Sequence, residues 1–448
     1  MAPSGKLLRI LGVGFGIAVT VGGTVGVGIL RTPGIVATHL PNAWLLMVVW
    51  ILGGAYALLG TLCVVELGTR HPKAGGWYVY SQNAFGNYPG FLIGWCDWIM
   101  QSAALAYLAT AIGEFSLALN PAIPGGIKAI AAITLLLFAF LHWFGIRSSS
   151  RAQEITSLAK GAALLAFVAA CFFFAPGKPA SAPLPVPTGF PFVVALVIAL
   201  QSIIITYDGW YTAIYFTEED KDPGRNLPKS AIGGILCTIA IYIFINAALL
   251  HVLPVSQLAG SELPAAVAAQ NIFGGSGGKI ITIISLISLL SVINAVLLLA
   301  ARILFSLSRD RLFLPGLSTV SSGGTPVPAM LLTTLAAVAL VLTGTFERLI
   351  AIAAFLNVIV YTSGFVSLFV LRKKEKVAGM AATQAFRVWG YPWTPLIALI
   401  GSIGFLIGTI VSDRIDSIYA LILIFLSYPV FLLTSSIRSR NPEVKTQS

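Results

Sequence analysis

Three groups of residues in this sequence could do chemistry, and all lie in apolar surroundings. Gly22, Gly23, Gly26 and Gly28 fall within the run at 21–33, which ends Arg31-Thr32-Pro33. Ile205-Thr206-Tyr207-Asp208-Gly209-Trp210 puts a carboxylate beside a glycine in a second apolar run, and Lys160 is a lone ammonium in a third. Glycine costs roughly 1 kcal/mol relative to alanine inside a helix, so the clustered glycines predict a helix that breaks. Aspartate at the centre of a spanning helix costs about 2.5–3.5 kcal/mol, so the second run is also a poor continuous helix. A break frees backbone N–H and C=O groups, which a bilayer tolerates only where they face protein or a water-filled cavity. Such groups can bind a polar solute without any charged side chain. The competing explanation is that the glycines only let helices pack closely.

These groups must be positioned by membrane-spanning helices. The 448 residues are 57% hydrophobic and 10% charged, with mean hydropathy +0.91. A soluble domain carries about 25% charged residues. A spanning helix needs about 20 apolar residues, and about twelve such spans are predicted. They cover 7–40, 43–68, 89–119, 127–145, 152–175, 192–216, 230–253, 279–306, 327–344, 348–371, 392–411 and 417–436. A turn and a short amphipathic piece follow span 2, from His71 to Tyr78. The stretch 176–191 reads as an external loop, and 254–278 is long enough to carry short helices. No stretch is polar enough for a separate soluble domain.

Lys6 and Arg9 precede the first run as in a signal peptide, but the run is too long and lacks a small-residue cleavage site. It is retained as span 1. Cys63, Cys96, Cys171 and Cys237 lie in apolar runs without CxxC spacing, which predicts buried free thiols and no metal site. The formal charge is +11. Loops on one side hold Arg70, Lys73, Arg147, Arg151, Lys221, Arg225, Lys229, Arg309, Arg311, Arg372, Lys373, Lys374, Lys376 and Arg387. The other side holds only Arg31, Lys128, Lys178, Lys279, Arg348 and Arg414. That is the positive-inside pattern, with both termini cytoplasmic in the cell (inner) membrane. It removes any need for a nucleic-acid partner.

Spans 1 and 6 both carry an anomaly, and five spans separate their starts. Spans 1–5 and 6–10 are therefore expected to be two copies of one unit, inverted because an odd number of spans flips the second. The predicted divisions are 1–175, 176–371 and a remainder, 372–448, with spans 11 and 12 and a cytoplasmic tail. An inverted repeat whose first helix is broken in each copy points to a transporter with its site between the breaks.

Several stretches resemble the amino acid–polyamine–organocation superfamily. Gly26-Val27-Gly28-Ile29-Leu30 resembles its Gly-Ser-Gly-Ile-Phe signature. Glu66-Leu67-Gly68 with Pro72-Lys73-Ala74-Gly75-Gly76-Trp77-Tyr78-Val79-Tyr80 resembles the segment after its second helix. Tyr207-Asp208-Gly209-Trp210, Thr217-Glu218-Glu219 and Asp222-Pro223-Gly224-Arg225-Asn226-Leu227-Pro228 resemble helix 6 and its loop. Asn294 through Arg302 to Ser308-Arg309-Asp310 resembles helix 8. The match covers ten spans in order, and its details are most similar to L-type amino acid transporters and their bacterial relatives. The resemblance implies an all-α, leucine-transporter-like 5+5 inverted repeat with broken helices 1 and 6. It implies carriage of free amino acids by alternating access, without cofactor or catalytic residue. Two positions depart from the pattern. Val27 replaces the usual serine, and Ile205 stands where relatives often carry an aromatic.

A zwitterion needs opposite partial charges a few ångströms apart, and a broken helix supplies both. N–H groups of Gly26, Val27 and Gly28 would hold the carboxylate. C=O groups near Gly22, Gly23, Ile205 and Tyr207 would receive the ammonium, and Val25, Asp208 and Gly209 complete the candidate substrate site. Asp208 has three readings: pairing with the ammonium, capping the break, or proton coupling. Lys160, with span 5 beginning near Ala152, lies about 12 Å along its axis. Snorkelling to the interface is one reading. The resemblance supports another, an ammonium in place of the sodium of sodium-coupled relatives, bonded to carbonyls at 22–25 or to span 8 hydroxyls. Tyr242, Asn246, Ser288 and Ser291 either line the path or bond between helices. The expected function is sodium-independent transport or exchange of small to medium neutral amino acids. Sodium or proton symport, or a cationic amino acid or polyamine carrier of the same fold, are the alternatives. No nucleophile–base pair marks an enzyme, the paired breaks oppose a mere receptor or scaffold, and the sequence specifies no partner subunit beyond membrane lipid.

Overall fold

A computed structural model describes residues 6–175, 177, 184–343, 346–378, 385–412 and 414–440. Lys178, most of the start of the 176–191 loop and the tail after 440 lie outside the described residues. The chain forms α1 (Val13–Thr24), α2 (Gly28–His39), α3 (Ala43–Arg70), α4 (Trp77–Phe85), α5 (Asn87–Leu119), α6 (Gly126–Trp143), α7 (Ile146–Phe174) and α8 (Phe190–Thr206). A 3-10 helix, Thr212–Glu219, follows. Then come α9 (Pro223–Val252), α10 (Val255–Ala259), α11 (Pro264–Phe273), a 3-10 turn at Gly274–Ser276 and α12 (Gly277–Arg309). The chain ends with α13 (Val327–Thr343), α14 (Phe346–Val377), α15 (Trp393–Ser412) and α16 (Arg414–Arg440). Among the described residues, nine helices are long and apolar enough to cross a membrane, and the bent pair α1–α2 makes a tenth. The shorter apolar helices α8 and α13 complete the twelve spans.

Local chemistry sets several boundaries. Asn42 caps α3 by accepting from the N–H groups of Trp44 at 2.9 Å and Leu45 at 3.1 Å. Asp222 caps α9, with Pro223 in the first turn where no N–H is missed. The long loop at 254–278 carries α10 and α11, as its length suggested.

Three expectations are corrected. Residues 7–12 are not helical but run beside the end of the 3-10 helix. There the Leu11 N–H donates to Glu219 at 2.9 Å and the Lys221 N–H donates to Leu11 at 3.0 Å. Span 5 begins at Ile146 rather than 152, because Gly145, with φ 109, lets the chain turn directly into α7. Lys160 therefore lies about 21 Å along its helix, deeper than expected. Cys63, Cys96 and Cys171 are buried free thiols, but Cys237 is exposed on α9.

The packing repeats under exchange of the two halves. The second, third and fourth spans of each half pack on their counterparts: α3 on α9, α5 on α12 and α6 on α13. Cross contacts come in matched pairs. As α1 packs on α9, so α8 packs on α3; as α7 packs on α12 and α9, so α14 packs on α5 and α3. The fold is the all-helical 5+5 inverted repeat, with α15 against α14 and α3 and α16 against α14 and α5.

Candidate functional site

The two breaks touch. α1 ends at Thr24, Val25 is extended, and α2 leaves at Gly28 bent by 47°. α8 ends at Thr206, and Tyr207–Tyr211 turn into the 3-10 helix through Gly209, at φ +100. A Cβ on Gly209 would lie 2.5 Å from the Gly23 carbonyl oxygen. Both the conformation and the contact therefore need glycine. The close-packing reading holds for three of the four clustered glycines. Cβ atoms there would meet Gln153 Nε2 at 1.8 Å (Gly22), Thr212 Oγ1 at 2.7 Å (Gly23) and Thr206 Cγ2 at 3.2 Å (Gly28). Of these four, Gly26 has room for a Cβ, whose nearest neighbour would be Val292 Cγ2 at 4.0 Å.

The breaks leave backbone groups without partners. Among the described residues, the N–H groups of Gly26, Val27, Gly28 and Ile29 donate no hydrogen bond, and α2 has no side-chain cap. Among the described residues, the carbonyls of Gly23 and Tyr207 likewise accept none. Gly23, Gly26, Val27 and Gly28 are half-buried, so most of these groups face accessible space where water or a ligand can pair them. A cluster of N–H groups at the positive end of α2 beside free carbonyls of both spans is the polarity a zwitterion requires.

Other carbonyls at the breaks are already occupied. Lys160, fully buried, donates from Nζ to Gly22 at 2.8 Å and Val25 at 2.6 Å. Its stem does not snorkel. Tyr242, also buried, places its hydroxyl 3.0 Å from the Thr24 oxygen and 2.8 Å from that of Thr206, so one proton is shared by both breaks. The Ile205 carbonyl accepts the Asp208 N–H at 3.1 Å within the turn. The Ile205 side chain is 54% exposed. It lies one turn beyond Gln201, whose amide approaches Gly408 of α15. Its position on α8 leaves the side chain exposed, while its carbonyl stays within the turn at the break.

Asp208 is held by span 10, a partner missing from all three readings: Oδ1 accepts from Asn357 Nδ2 at 2.9 Å and from the Tyr361 hydroxyl. Asp97 accepts from the Tyr215 hydroxyl at 2.7 Å and Gln101 at 3.3 Å. Trp77, Trp210, Tyr211 and Tyr361 pack ring to ring beneath the breaks, with Trp77–Tyr361 centroids 5.4 Å apart. Asn246 donates to the Tyr242 carbonyl at 2.8 Å, a bond within its own helix. Ser291 lies 3.2 Å from Ser157, in a network where Gln153 and Ser157 also donate to Ala18 of α1. Ser288 is buried, and its hydroxyl has no partner among the described residues. The network had a visible sign: Gln153, Ser157 and Lys160 share one face at helical spacing. Asn357 and Tyr361, four residues apart, carry the same sign on span 10.

The N-terminal side of the bundle is tied by ion pairs. Arg302 grips Glu219 with two nitrogens, one at 2.8 Å, both residues being buried. Arg309 contacts Glu218 at 2.7 Å, and Arg372 contacts Glu66 at 2.5 Å. Among the described residues no cluster of histidine, cysteine, aspartate or glutamate could hold a metal.

Residues 16–431 match the family model described as amino acid permease. The chain is 28% identical over 441 residues to the serine/threonine exchanger SteT of Bacillus subtilis (strain 168), covering 95% of this chain and 96% of the relative. It is 26% identical over 451 residues to Asc-type amino acid transporter 1 of Mus musculus, covering 97% and 82%. It is 27% identical over 385 residues to large neutral amino acids transporter small subunit 2 of Homo sapiens, covering 82% and 71%. With a bundle of broken helices and a family match over nearly its whole length, this chain belongs to the amino acid permeases.

Proposed function

We propose that the protein exchanges small to medium neutral amino acids across a membrane by alternating access, without sodium. The observation that carries this reading is the set of unpartnered backbone groups where the breaks meet. The carboxylate would take the N–H groups of Gly26, Val27 and Gly28, and the ammonium the carbonyls of Gly23 and Tyr207. No cationic or anionic side chain enters this set, which suits neutral substrates. The relatives named for serine and threonine and for neutral amino acids support the same class. Lys160 and Tyr242 fill carbonyls that a cation would otherwise serve, and this supports sodium independence. In the Lys160 assignment, the ammonium fixes α1 to α7 in place of an ion.

The test is exchange in liposomes preloaded with serine. Labelled serine uptake should need internal amino acid and be inhibited by alanine, serine and leucine more strongly than by arginine. It should persist when sodium is replaced by choline. Arginine or a polyamine outcompeting alanine, or a stoichiometric sodium requirement, would remove the reading.

The halves are assigned as 1–175 and 176–371, with 372–448 outside the repeat. Both termini are assigned to the cytoplasm of the cell membrane from the cation asymmetry of the loops. A cysteine placed at position 374 should resist membrane-impermeant labelling in intact cells and react after lysis. Labelling from outside would invert the orientation.

A further inference from the structure

A cleft of about 360 Å³ opens at the N-terminal side of the bundle. It lies between the first turns of α7, the segment before α1 and the loop after the 3-10 helix, and its walls include Arg147, Arg151, Glu154, Lys221, Ile10 and Leu11. Arg147, Arg151 and Glu154 share one face of α7 at helical spacing. Lys221 comes from the loop, where its own N–H is fixed to Leu11 at 3.0 Å. Three cations thus face a single carboxylate. Arg70, Arg302, Arg309 and Arg372 each hold a carboxylate on this side of the protein. Among the described residues, the side chains of Arg147, Arg151 and Lys221 hold none.

This is an unfavourable arrangement for an empty cleft. The cations repel one another, and two of them lie in the first turns of α7, where the helix dipole disfavours positive charge. An anion relieves both. The surface beyond the cleft indicates which anion. Ile155 and Leu158, 67% and 75% exposed, continue the helical stripe from Arg151 along α7. Apolar exposure of that degree on a spanning helix is a lipid face.

We propose that this cleft binds the phosphate headgroup of an anionic phospholipid whose acyl chains lie along Ile155 and Leu158. A soluble phosphate shares the headgroup chemistry but gains nothing from the apolar stripe. The lipid would connect α7 to the loop carrying Lys221. That loop is already paired with Leu11, so a bound headgroup would steady the contact between the start of span 1 and the end of span 6. Location supports this, because basic residues at the cytoplasmic end of spans meet the anionic leaflet.

The test uses the full-length protein in neutral detergent, titrated with phosphatidylglycerol, phosphatidylcholine or inorganic phosphate. Thermal midpoints and lipids retained in native mass spectrometry are read. Phosphatidylglycerol should raise the midpoint by about 3–5 °C, as a ligand selective for the folded state does. The other two additives should not. Arg147→Gln/Arg151→Gln should lose most of the shift and the retained lipid. Lys221→Gln should lose part, and Lys376→Gln, an exposed cation elsewhere on the same side, should behave as the parent. An undiminished shift in the double arginine variant and in Lys221→Gln would overturn the proposal. So would a shift reproduced by phosphatidylcholine, or by inorganic phosphate at the same concentration. None of these readouts depends on amino acid transport, so the lipid site and the exchange function fail separately.

Discussion

Lys160→Ala is expected to slow exchange by about 30-fold or more, while free alanine still protects the protein from thermal unfolding. The ammonium donates to Gly22 at 2.8 Å and Val25 at 2.6 Å, from a fully buried position. Removing it leaves two carbonyls short of a donor, at about 1–3 kcal/mol each. Even the low end of that sum, about 2 kcal/mol, moves a two-state equilibrium roughly 30-fold. The direction follows from geometry. Both bonds require α1 to lie against α7, so states in which α1 tilts away lose nothing and become relatively more populated. The variant should therefore work unequally from its two faces, with the apparent affinity changing more on one side than on the other. Stabilisation by alanine should remain, because Gly23, Tyr207 and the N–H groups of α2 are untouched. Exchange assayed from each face of oriented liposomes checks this. Rates equal to the parent would show that the lysine only packs.

The sequence made much of this arrangement legible for a physical reason. A bilayer penalises unpaired backbone and lone charge so strongly that a glycine cluster, an Asp-Gly pair and a single lysine in apolar runs each need an explanation. The breaks followed from that penalty, the meeting of spans 1 and 6 from their paired placement, and the Lys160 contact from its depth together with the resemblance. Partners supplied by distant spans were not legible in the same way. Asp208 is held by Asn357 and Tyr361, 149 and 153 residues away, and nothing local in span 6 points to them. Likewise, Asp97 meets Tyr215 across 118 residues. Proximity in sequence to a break also does not say which way a side chain faces. A shift of two positions along α8 carries a side chain from the buried Ile203 to the exposed Ile205. The start of α7 was placed too late because Arg147, Ser148, Ser149, Ser150 and Arg151 read as loop. Ser149 and Ser150 instead turn their hydroxyls to carbonyls of the preceding turn, at 3.1 Å from Gly145 and 3.2 Å from Arg147. The four clustered glycines of span 1 had two competing explanations, and both operate: Gly22, Gly23 and Gly28 give close contact, and Gly26 leaves room for a Cβ.

The second large effect concerns the substrate's two charges. If backbone groups hold both ends of the zwitterion, neutralising either end should abolish recognition whatever the side chain. Hydrogen bonds to charged groups contribute about 1.5–3 kcal/mol each, and the expected site offers more than one to each end. Alanine methyl ester keeps the ammonium but presents no anionic oxygens to Gly26, Val27 and Gly28. N-acetylalanine keeps the carboxylate but brings a bulky amide against the carbonyls of Gly23 and Tyr207. Each should compete at least about 100-fold less well than alanine, a loss of roughly 3 kcal/mol. Changes confined to the side chain, from alanine to serine or leucine, should move competition far less. The direct measurement is inhibition of labelled serine exchange in liposomes by alanine, alanine methyl ester and N-acetylalanine in parallel. The account predicts strong inhibition by alanine and almost none by the two derivatives. Inhibition by either derivative at concentrations close to those of alanine would contradict it.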